Sequence, residues 1–113
     1  MTALNQDLTE ERWFSLPFFS QMANLGSEVS RTIKWKAKDP ARSKLAFESA
    51  LELLDLTIDD EKNQKKSKLI ELCRLREILA DYFCFDNIYG STDEKWNNYF
   101  YGFNYAASLN SHL

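Results

Sequence analysis

The stretch KSKLIELCRLREILADYFCFD, residues 66–86, decides the fold class. Leucine, isoleucine, alanine and aromatic residues recur in it at intervals of three and four, and it contains neither Gly nor Pro. This spacing places the apolar side chains on one face of an α-helix. Sustained alternation of the kind that marks a strand occurs nowhere in the chain, so the sequence predicts an all-α protein.

Three other segments have the same periodicity and are separated by short polar breaks. Four helices of similar length joined by short connections are typical of an antiparallel up-down-up-down four-helix bundle, which is the fold we predict. The run Asp59–Lys66 contains no apolar residue and is expected to be a loop. The predicted helices cover residues of about 16–38, 40–59, 66–86 and 92–108.

Short local signals mark the ends of these helices. Ser15 is the expected N-cap of the first helix, and Asp39, which is followed by proline, begins the second. Ser91 with Glu94 forms a capping-box pattern before the last helix. Gly26 lies on the apolar stripe of the first helix, where glycine costs about 1 kcal/mol of helix propensity. We therefore expect a neighbouring helix to approach closely at Gly26.

The length of the chain, 113 residues and 13.2 kDa, predicts one domain that covers residues 1–113. Hydrophobic residues make up 44% of it and aromatic residues 14%, with only 3 Gly and 2 Pro, which favours a compact helical protein with an aromatic core. Residues 1–14 are expected to be a partly ordered N-terminal segment. A short extra turn in that segment would carry Trp13 and Phe14 onto the core.

The charge balance and the two cysteines bear on partners and location. Fourteen Lys and Arg against seventeen Asp and Glu leave a net charge of −3, so a general attraction to nucleic acid is excluded. No apolar run approaches the ~20 residues that span a bilayer, and the polar N-terminus resembles no targeting peptide.

Cys73 and Cys84 would lie roughly 16 Å apart on one helix, too far for a disulfide. We expect buried, reduced thiols in a cytoplasmic protein without a membrane partner.

Arg76 departs most clearly from the apolar pattern. On a helical wheel it lies in the middle of the apolar face of the third predicted helix. Because arginine is rarely buried without a partner, we expect a carboxylate from a facing helix: Glu28, Glu48 or Asp55. Three interpretations stay open, namely an ion pair that fixes the helix register, an arginine that lines a pocket for an anionic ligand, and a side chain that extends to solvent.

Several aromatic residues also lie off the apolar stripes. Glu28, Arg31 and Trp35 form a group at i, i+3 and i+7 on the first helix, and Trp35 is expected either to pack beneath the connection to the second helix or to present an anchor to a partner. Tyr101 and Tyr105 lie opposite the apolar side of the last helix. Such residues on more than one helix indicate a second buried surface, and we predict a homodimer.

Basic residues form two clusters along the chain. The segment Arg31–Lys44 contains six of the fourteen Lys and Arg residues, and a second cluster lies between Lys62 and Lys68. In an up-down bundle these clusters lie at opposite ends, so they do not form one footprint. Lysines near the C-terminus of a helix also interact favourably with the helix dipole, which explains part of the first cluster without a ligand. The Arg31–Lys44 segment is nevertheless the part of the chain best suited to nucleic acid.

The residues that commonly perform catalysis are scarce. His112 is the only histidine, so the Glu-x-x-His motif of di-iron bundles and Cys/His zinc spacings do not occur. The three glycines are isolated and form no phosphate-binding loop. A row of acids on the second helix, Glu48, Glu52, Asp55 and Asp59, is typical of a solvated face. We assign no catalytic residue, metal or cofactor, which favours a non-enzymatic protein.

Three stretches, GSEVSRTIKW (26–35), ALELLDLTI (50–58) and LIELCRLREILADYF (69–83), together resemble a family of small, uncharacterised prokaryotic α-helical proteins, over most of the chain from Trp13 onward. That resemblance implies no activity and no site residues. In size and architecture the chain is also similar to HEPN-type domains and to the bundle proteins accessory to diversity-generating reverse transcriptases. The HEPN ribonuclease pattern has a histidine four to six residues after an arginine, and no such histidine follows Arg74 or Arg76. The accessory proteins are basic, whereas this chain is acidic.

Three functional hypotheses follow from the sequence. The leading one is a non-enzymatic macromolecular interaction module that self-associates and binds an unidentified protein partner. The second is a binder of a small anionic ligand, or an enzyme, that uses Arg76 and nearby acids inside the bundle. The third is a nucleic-acid-binding accessory protein that uses the Arg31–Lys44 segment.

Overall fold

The structure, a computed structural model, describes residues 10–111 and the side chains as far as Leu109. Helix accounts for 83% of it and the described part of the chain contains no strand, which confirms the predicted all-α class. A short 3-10 turn, Glu61–Asn63, precedes the fourth helix. The α-helices are α1 (Glu10–Ser15), α2 (Phe18–Trp35), α3 (Pro40–Asp59), α4 (Lys66–Cys84) and α5 (Asp93–Ser111).

The starts of two helices differ from the prediction because other residues cap them. Ser15 ends α1, where its Oγ donates to a carbonyl oxygen three residues earlier at 2.7 Å, and Pro17 stands at the N-cap of α2. The prediction that Ser15 caps the long helix is wrong because a separate helical turn precedes α2. At α5, Thr92 Oγ1 accepts the backbone N–H of Lys95 at 3.1 Å, so Thr92 is the capping residue in place of Ser91.

The predicted start of α3 agrees with the structure, where the Asp39 carboxylate accepts the backbone N–H of Arg42 at 3.2 Å. Trp13 on α1 is only 2% exposed, so the segment before α2 does contribute to the core. Residues 1–9 of the predicted partly ordered segment lie outside the described residues, as does His112.

A turn built on the buried side chain of Asp81 joins α4 to α5. Its carboxylate oxygens accept the backbone N–H groups of Ile88 and Tyr89 at 3.0 and 3.1 Å. Asn87 adopts a left-handed backbone conformation, φ 54°, which asparagine tolerates better than most residues. The side-chain amide of Asn87 also exchanges two hydrogen bonds with the backbone of Ser91. These bonds end α4 at Cys84 and fix where α5 begins.

The helices pack around α2. This helix packs along α3 on one side and α5 on the other, whereas α4 contacts α3 more sparsely and approaches α5 only loosely. The close approach predicted at Gly26 is made by α5, whose Phe100 covers that position. The described chain measures 37 × 30 × 28 Å. The buried core consists of Trp13, Met22, Leu25, Val29, Phe47, Ala50, Leu53, Leu54, Leu72, Leu75, Leu79, Trp96 and Phe100.

A buried polar network lies where α1, α2 and α3 meet the 3-10 turn. The side-chain amide of Asn63 donates to Gln21 Oε1 at 3.0 Å, and Gln21 Nε2 donates to Asp60 Oδ2 at 2.7 Å. The indole N–H of Trp13 donates to Thr57 Oγ1 at 3.1 Å. The loop predicted at residues 59–66 is present and contains a 3-10 turn, but the side chains of Asp60 and Asn63 are buried and hydrogen-bonded to Gln21 rather than solvated.

Both cysteine thiols are exposed, which contradicts their predicted burial. The buried apolar residues of α4 are Leu72, Leu75 and Leu79, which occupy a narrow face. Cys73 lies about 100° around the helix from Leu72, outside that face. The helical wheel overestimates the width of the buried face, and for the same reason Arg76 lies at its edge rather than in its middle.

Candidate functional site

Arg76 on α4 pairs with Asp55 on α3, one of the three carboxylates expected near it. Its Nε and Nη2 donate to the two carboxylate oxygens at 2.7 and 3.3 Å, and these hydrogen bonds raise the pKa of the guanidinium above its usual value. The expected burial is wrong, since the two side chains are 42% and 52% exposed. The pair therefore faces solvent at the junction of α3 and α4.

The other residues expected around this arginine have different surroundings. Glu28 pairs with Arg31 one turn along α2, and Glu48 is half-buried on α3. Trp35 is half-buried at the end of α2, with the guanidinium of Arg42 4.7 Å from the centroid of its ring. The indole thus lies against the first turn of α3, beside the connection between the two helices.

Carboxylates partly neutralise the basic segment Arg31–Lys44. Lys36 Nζ lies 2.6 Å from Asp93 Oδ1 and 3.0 Å from the Tyr82 hydroxyl oxygen, and Arg42 lies 3.5 Å from the N-cap carboxylate of α3. Burial would lower the pKa of Lys36, but its hydrogen bonds to Asp93 and Tyr82 outweigh burial and raise that pKa. Hydrogen bonds that Asp93 accepts from Lys36 and from the Tyr82 hydroxyl lower the pKa of the Asp93 carboxyl. Paired cations attract phosphate less than the composition of the segment suggests.

A cavity of about 370 Å³ lies beside this segment, between the end of α2, the start of α3 and the end of α4. Its lining combines two lysines and two hydroxyl groups with two aromatic rings, and Ser43 Oγ already donates to the carbonyl oxygen of Thr32 at 2.8 Å. Sequence reasoning missed it because three helices contribute to it. The lining residues are Thr32, Lys36, Pro40, Ser43, Lys44, Phe47, Phe83 and Cys84.

A further cavity, of about 270 Å³, is a groove between α4 and α5, here named the α4–α5 groove. Its surface is mainly apolar, with Arg74 on the α4 wall and Lys95 on the α5 wall. Burial, together with the carboxylate of Glu71, raises the pKa of Tyr99 to about 12, so this phenol stays protonated at neutral pH. The buried indole N–H of Trp96 has no hydrogen-bond partner among the described residues. The lining residues are Glu71, Arg74, Leu75, Ile78, Ser91, Lys95, Trp96 and Tyr99.

The outward face of α5 carries Tyr101, Tyr105 and Leu109 at four-residue spacing, a row named the α5 stripe. These side chains are 68%, 59% and 52% exposed. No Asp, Glu, Lys or Arg occurs from Trp96 to Ser111, although such residues make up 27% of the chain. Both tyrosines lie on the side of the helix opposite the core, as the sequence predicts, and Leu109 extends the row.

Exposed apolar side chains concentrate in the C-terminal half of the described chain. Between residue 10 and the start of α4, Leu45 on α3 is the one large apolar residue that is exposed. Grouped apolar surface of this kind commonly marks a binding site, whereas single exposed residues are ordinary. The large exposed apolar and aromatic residues from α4 onward, within the described residues, are Ile70, Phe85, Ile88, Tyr89, Tyr99, Tyr101, Tyr105 and Leu109.

Within residues 10–111, no three His, Cys, Asp or Glu side chains come together as potential metal ligands. None of the helices in this range has the length and apolar character needed to cross a membrane.

Comparisons with protein-family models, with curated proteins and with solved structures give no match. The resemblance to small prokaryotic helical proteins therefore stays a prediction. The assignment of a function depends on the α5 stripe, the two cavities and the charges around them.

Proposed function

We propose that this protein is a non-enzymatic interaction module that self-associates as a homodimer through the α5 stripe. The observation that carries the proposal is the exposed row of Tyr101, Tyr105 and Leu109 on a helix without charged residues after Lys95. Side chains at i, i+4 and i+8 lie along one face of a helix. Such a row is typical of the anchors by which one helix packs against another.

The absence of charge favours a second copy of the chain as the occupant of this face. In a two-fold interface the same patch meets itself, so a charged patch would face like charges. The neighbours of the stripe on α5 include the neutral Asn97 and Asn104, whereas the whole chain carries a net charge of −3. Interface cores are also depleted in charged residues and enriched in aromatic residues such as tyrosine.

The length of the stripe suggests a weak dimer. Its three anchors span eight residues, which is about 12 Å along the helix axis. A contact of that length buries less than the roughly 1,200–2,000 Å² of a standard stable interface. We therefore expect dissociation in the micromolar range rather than a permanent dimer.

The finer architecture and the location belong to the same proposal. We propose that α2–α5 follow an antiparallel up-down-up-down order, which is supported by their short connections and by the packing of α2 on both α3 and α5. We also propose a cytoplasmic location, which suits the exposed free thiols of Cys73 and Cys84 because the cytosol keeps thiols reduced.

Sedimentation equilibrium over a range of concentrations tests the dimer. The wild-type chain should show a mass near twice 13.2 kDa at high micromolar concentration and should dissociate on dilution. The double variant Tyr101→Asp, Tyr105→Asp sets like charges against each other and should be monomeric throughout. Leu45→Asp is the control, since it adds one such negative charge at an exposed apolar position on α3 and should leave the dimer unchanged.

Circular dichroism and thermal unfolding of the three proteins establish that the variants are folded. A wild-type chain that stays monomeric at high micromolar concentration would contradict self-association. A dimer that survives in the double variant would show that the interface lies elsewhere.

A further inference from the structure

We infer that the α4–α5 groove binds an acidic amphipathic helix of a partner protein, which inserts one large apolar side chain between α4 and α5. This binding site is separate from the α5 stripe. Tyr99, which lines the groove, and Tyr101, which begins the stripe, point about 200° apart around α5. The groove therefore stays open in the dimer proposed above, and the two contacts can be tested independently.

The volume of the groove fits a side chain better than a whole small molecule. Its volume of about 270 Å³ lies below the roughly 300–1,000 Å³ of pockets that enclose drug-sized ligands. Leu75 and Ile78 on α4 and Trp96 and Tyr99 on α5 supply apolar walls. Protein interfaces obtain most of their affinity from a few large side chains that fill pockets of this kind.

The packing of the helices makes the groove a lasting part of the fold. Phe100 holds α5 close to α2 at Gly26, and the turn around Asp81 fixes the junction of α4 and α5. Beyond this turn α4 approaches α5 only loosely, so a channel with an apolar floor runs between them. A channel between two helices is the shape that receives a third, amphipathic helix.

The cations at the rim determine the charge of the partner. Arg74 and Lys95 are exposed, and neither has a carboxylate partner within the described part of the chain. Three of the basic residues of the Arg31–Lys44 segment, in contrast, do pair with a carboxylate. Lys95 Nζ donates to the carbonyl oxygen of Gly90 at 3.1 Å, which keeps it beside the groove. Glu71 is the acid among the lining residues, so the rim has a net positive charge on a chain of net charge −3. Acidic residues that flank an apolar anchor would complement these cations.

Selection from a displayed library of amphipathic helices with randomised polar faces tests the inference without a guess at the partner. The wild-type protein is the target, and the charge-reversed variant Arg74→Glu, Lys95→Glu removes helices that bind elsewhere. We expect the recovered helices to share a large apolar residue flanked by Asp or Glu. A recovered peptide is then titrated by isothermal calorimetry at low and high salt.

The peptide should bind the wild-type protein at least tenfold more tightly than the charge-reversed variant, and salt should weaken binding. Lys65→Glu, Lys66→Glu is the matched control, because it makes the same charge change at exposed positions at the start of α4 and should bind like the wild type. Recovery of basic or neutral helices, no recovery at all, or equal affinity for the charge-reversed variant would overturn the inference. Loss of the dimer in the charge-reversed variant, seen by sedimentation, would overturn it as well, since a second copy would then occupy the groove.

Discussion

Gly26 of α2 and Phe100 of α5 are in such close contact that a Cβ atom added to Gly26 would lie 2.8 Å from Cβ of Phe100. The conflict involves the base of the phenylalanine side chain rather than its flexible end, so it can be relieved only if α2 and α5 move apart. Overpacking of this kind costs about 1–3 kcal/mol, and alanine recovers about 1 kcal/mol of helix propensity. We expect Gly26→Ala to lower the free energy of unfolding by up to about 2 kcal/mol in urea titrations.

Gly102 on α5 provides the matched control, because a Cβ atom there would meet nothing within 4 Å. Gly102→Ala should raise the free energy of unfolding by up to about 1 kcal/mol, since the gain in helix propensity is not opposed. Two alanine substitutions in helices would thus have opposite signs. Equal effects at the two positions would show that α2 and α5 do not touch at Gly26.

Asp60 should make the fold sensitive to acid. Burial opposes ionisation of this carboxyl, but hydrogen bonds from Lys62 and Gln21 outweigh burial and lower its pKa below 3.8. Because the pKa is lower in the folded state, the unfolded state binds the proton first as the pH falls. The stabilisation is therefore complete above about pH 4 and is lost as the pH falls through the folded-state pKa.

Asp60→Asn should accordingly lower the free energy of unfolding by about 1–3 kcal/mol at pH 7 and reduce its change between pH 7 and pH 3. Unfolding titrations at both pH values measure the two effects. Asp59→Asn is the control, since it makes the same charge change one residue earlier at an exposed position. A pH dependence that is unchanged in Asp60→Asn but reduced in Asp59→Asn would contradict the assignment.

The sequence located the helices because apolar periodicity reports directly on which face is buried, and Gly26 was identified because a small residue on such a face requires a close neighbour. Polar residues give no comparable signal. Nothing in the sequence distinguishes the buried Asn63 from the exposed Asn24, since burial of an amide depends on partners supplied by other segments. The α4–α5 groove was missed for a related reason, because it arises from the spacing of two helices and from no single motif.

The wheel also placed Arg76 too deep, and the pair that it forms with Asp55 should behave as a surface ion pair. Both side chains are about half exposed, so solvent screens their attraction. A double-mutant cycle with Arg76→Ala and Asp55→Ala should give a coupling energy of about 0.2–1 kcal/mol that falls at high salt. Loss of one partner of a buried pair would cost about 3–5 kcal/mol, and a single-variant effect of that size would contradict the exposed placement.

The exposed thiols of Cys73 and Cys84 should react with Ellman's reagent in the folded protein. Both side chains lie outside the buried face of α4, so we expect the full reaction of two thiols per chain without denaturant. Cys73→Ser and Cys84→Ser should each remove one of the two and change the free energy of unfolding by less than about 0.5 kcal/mol, as is usual at exposed positions. Cys84 also lines the cavity that contains Lys36 and Lys44. Because these lysines attract an anionic reagent, Cys84 should react with it at least as fast as Cys73 does. A thiol that reacts only after unfolding would show that α4 is rotated relative to α3, and the pairing of Arg76 with Asp55 would then have to be abandoned too.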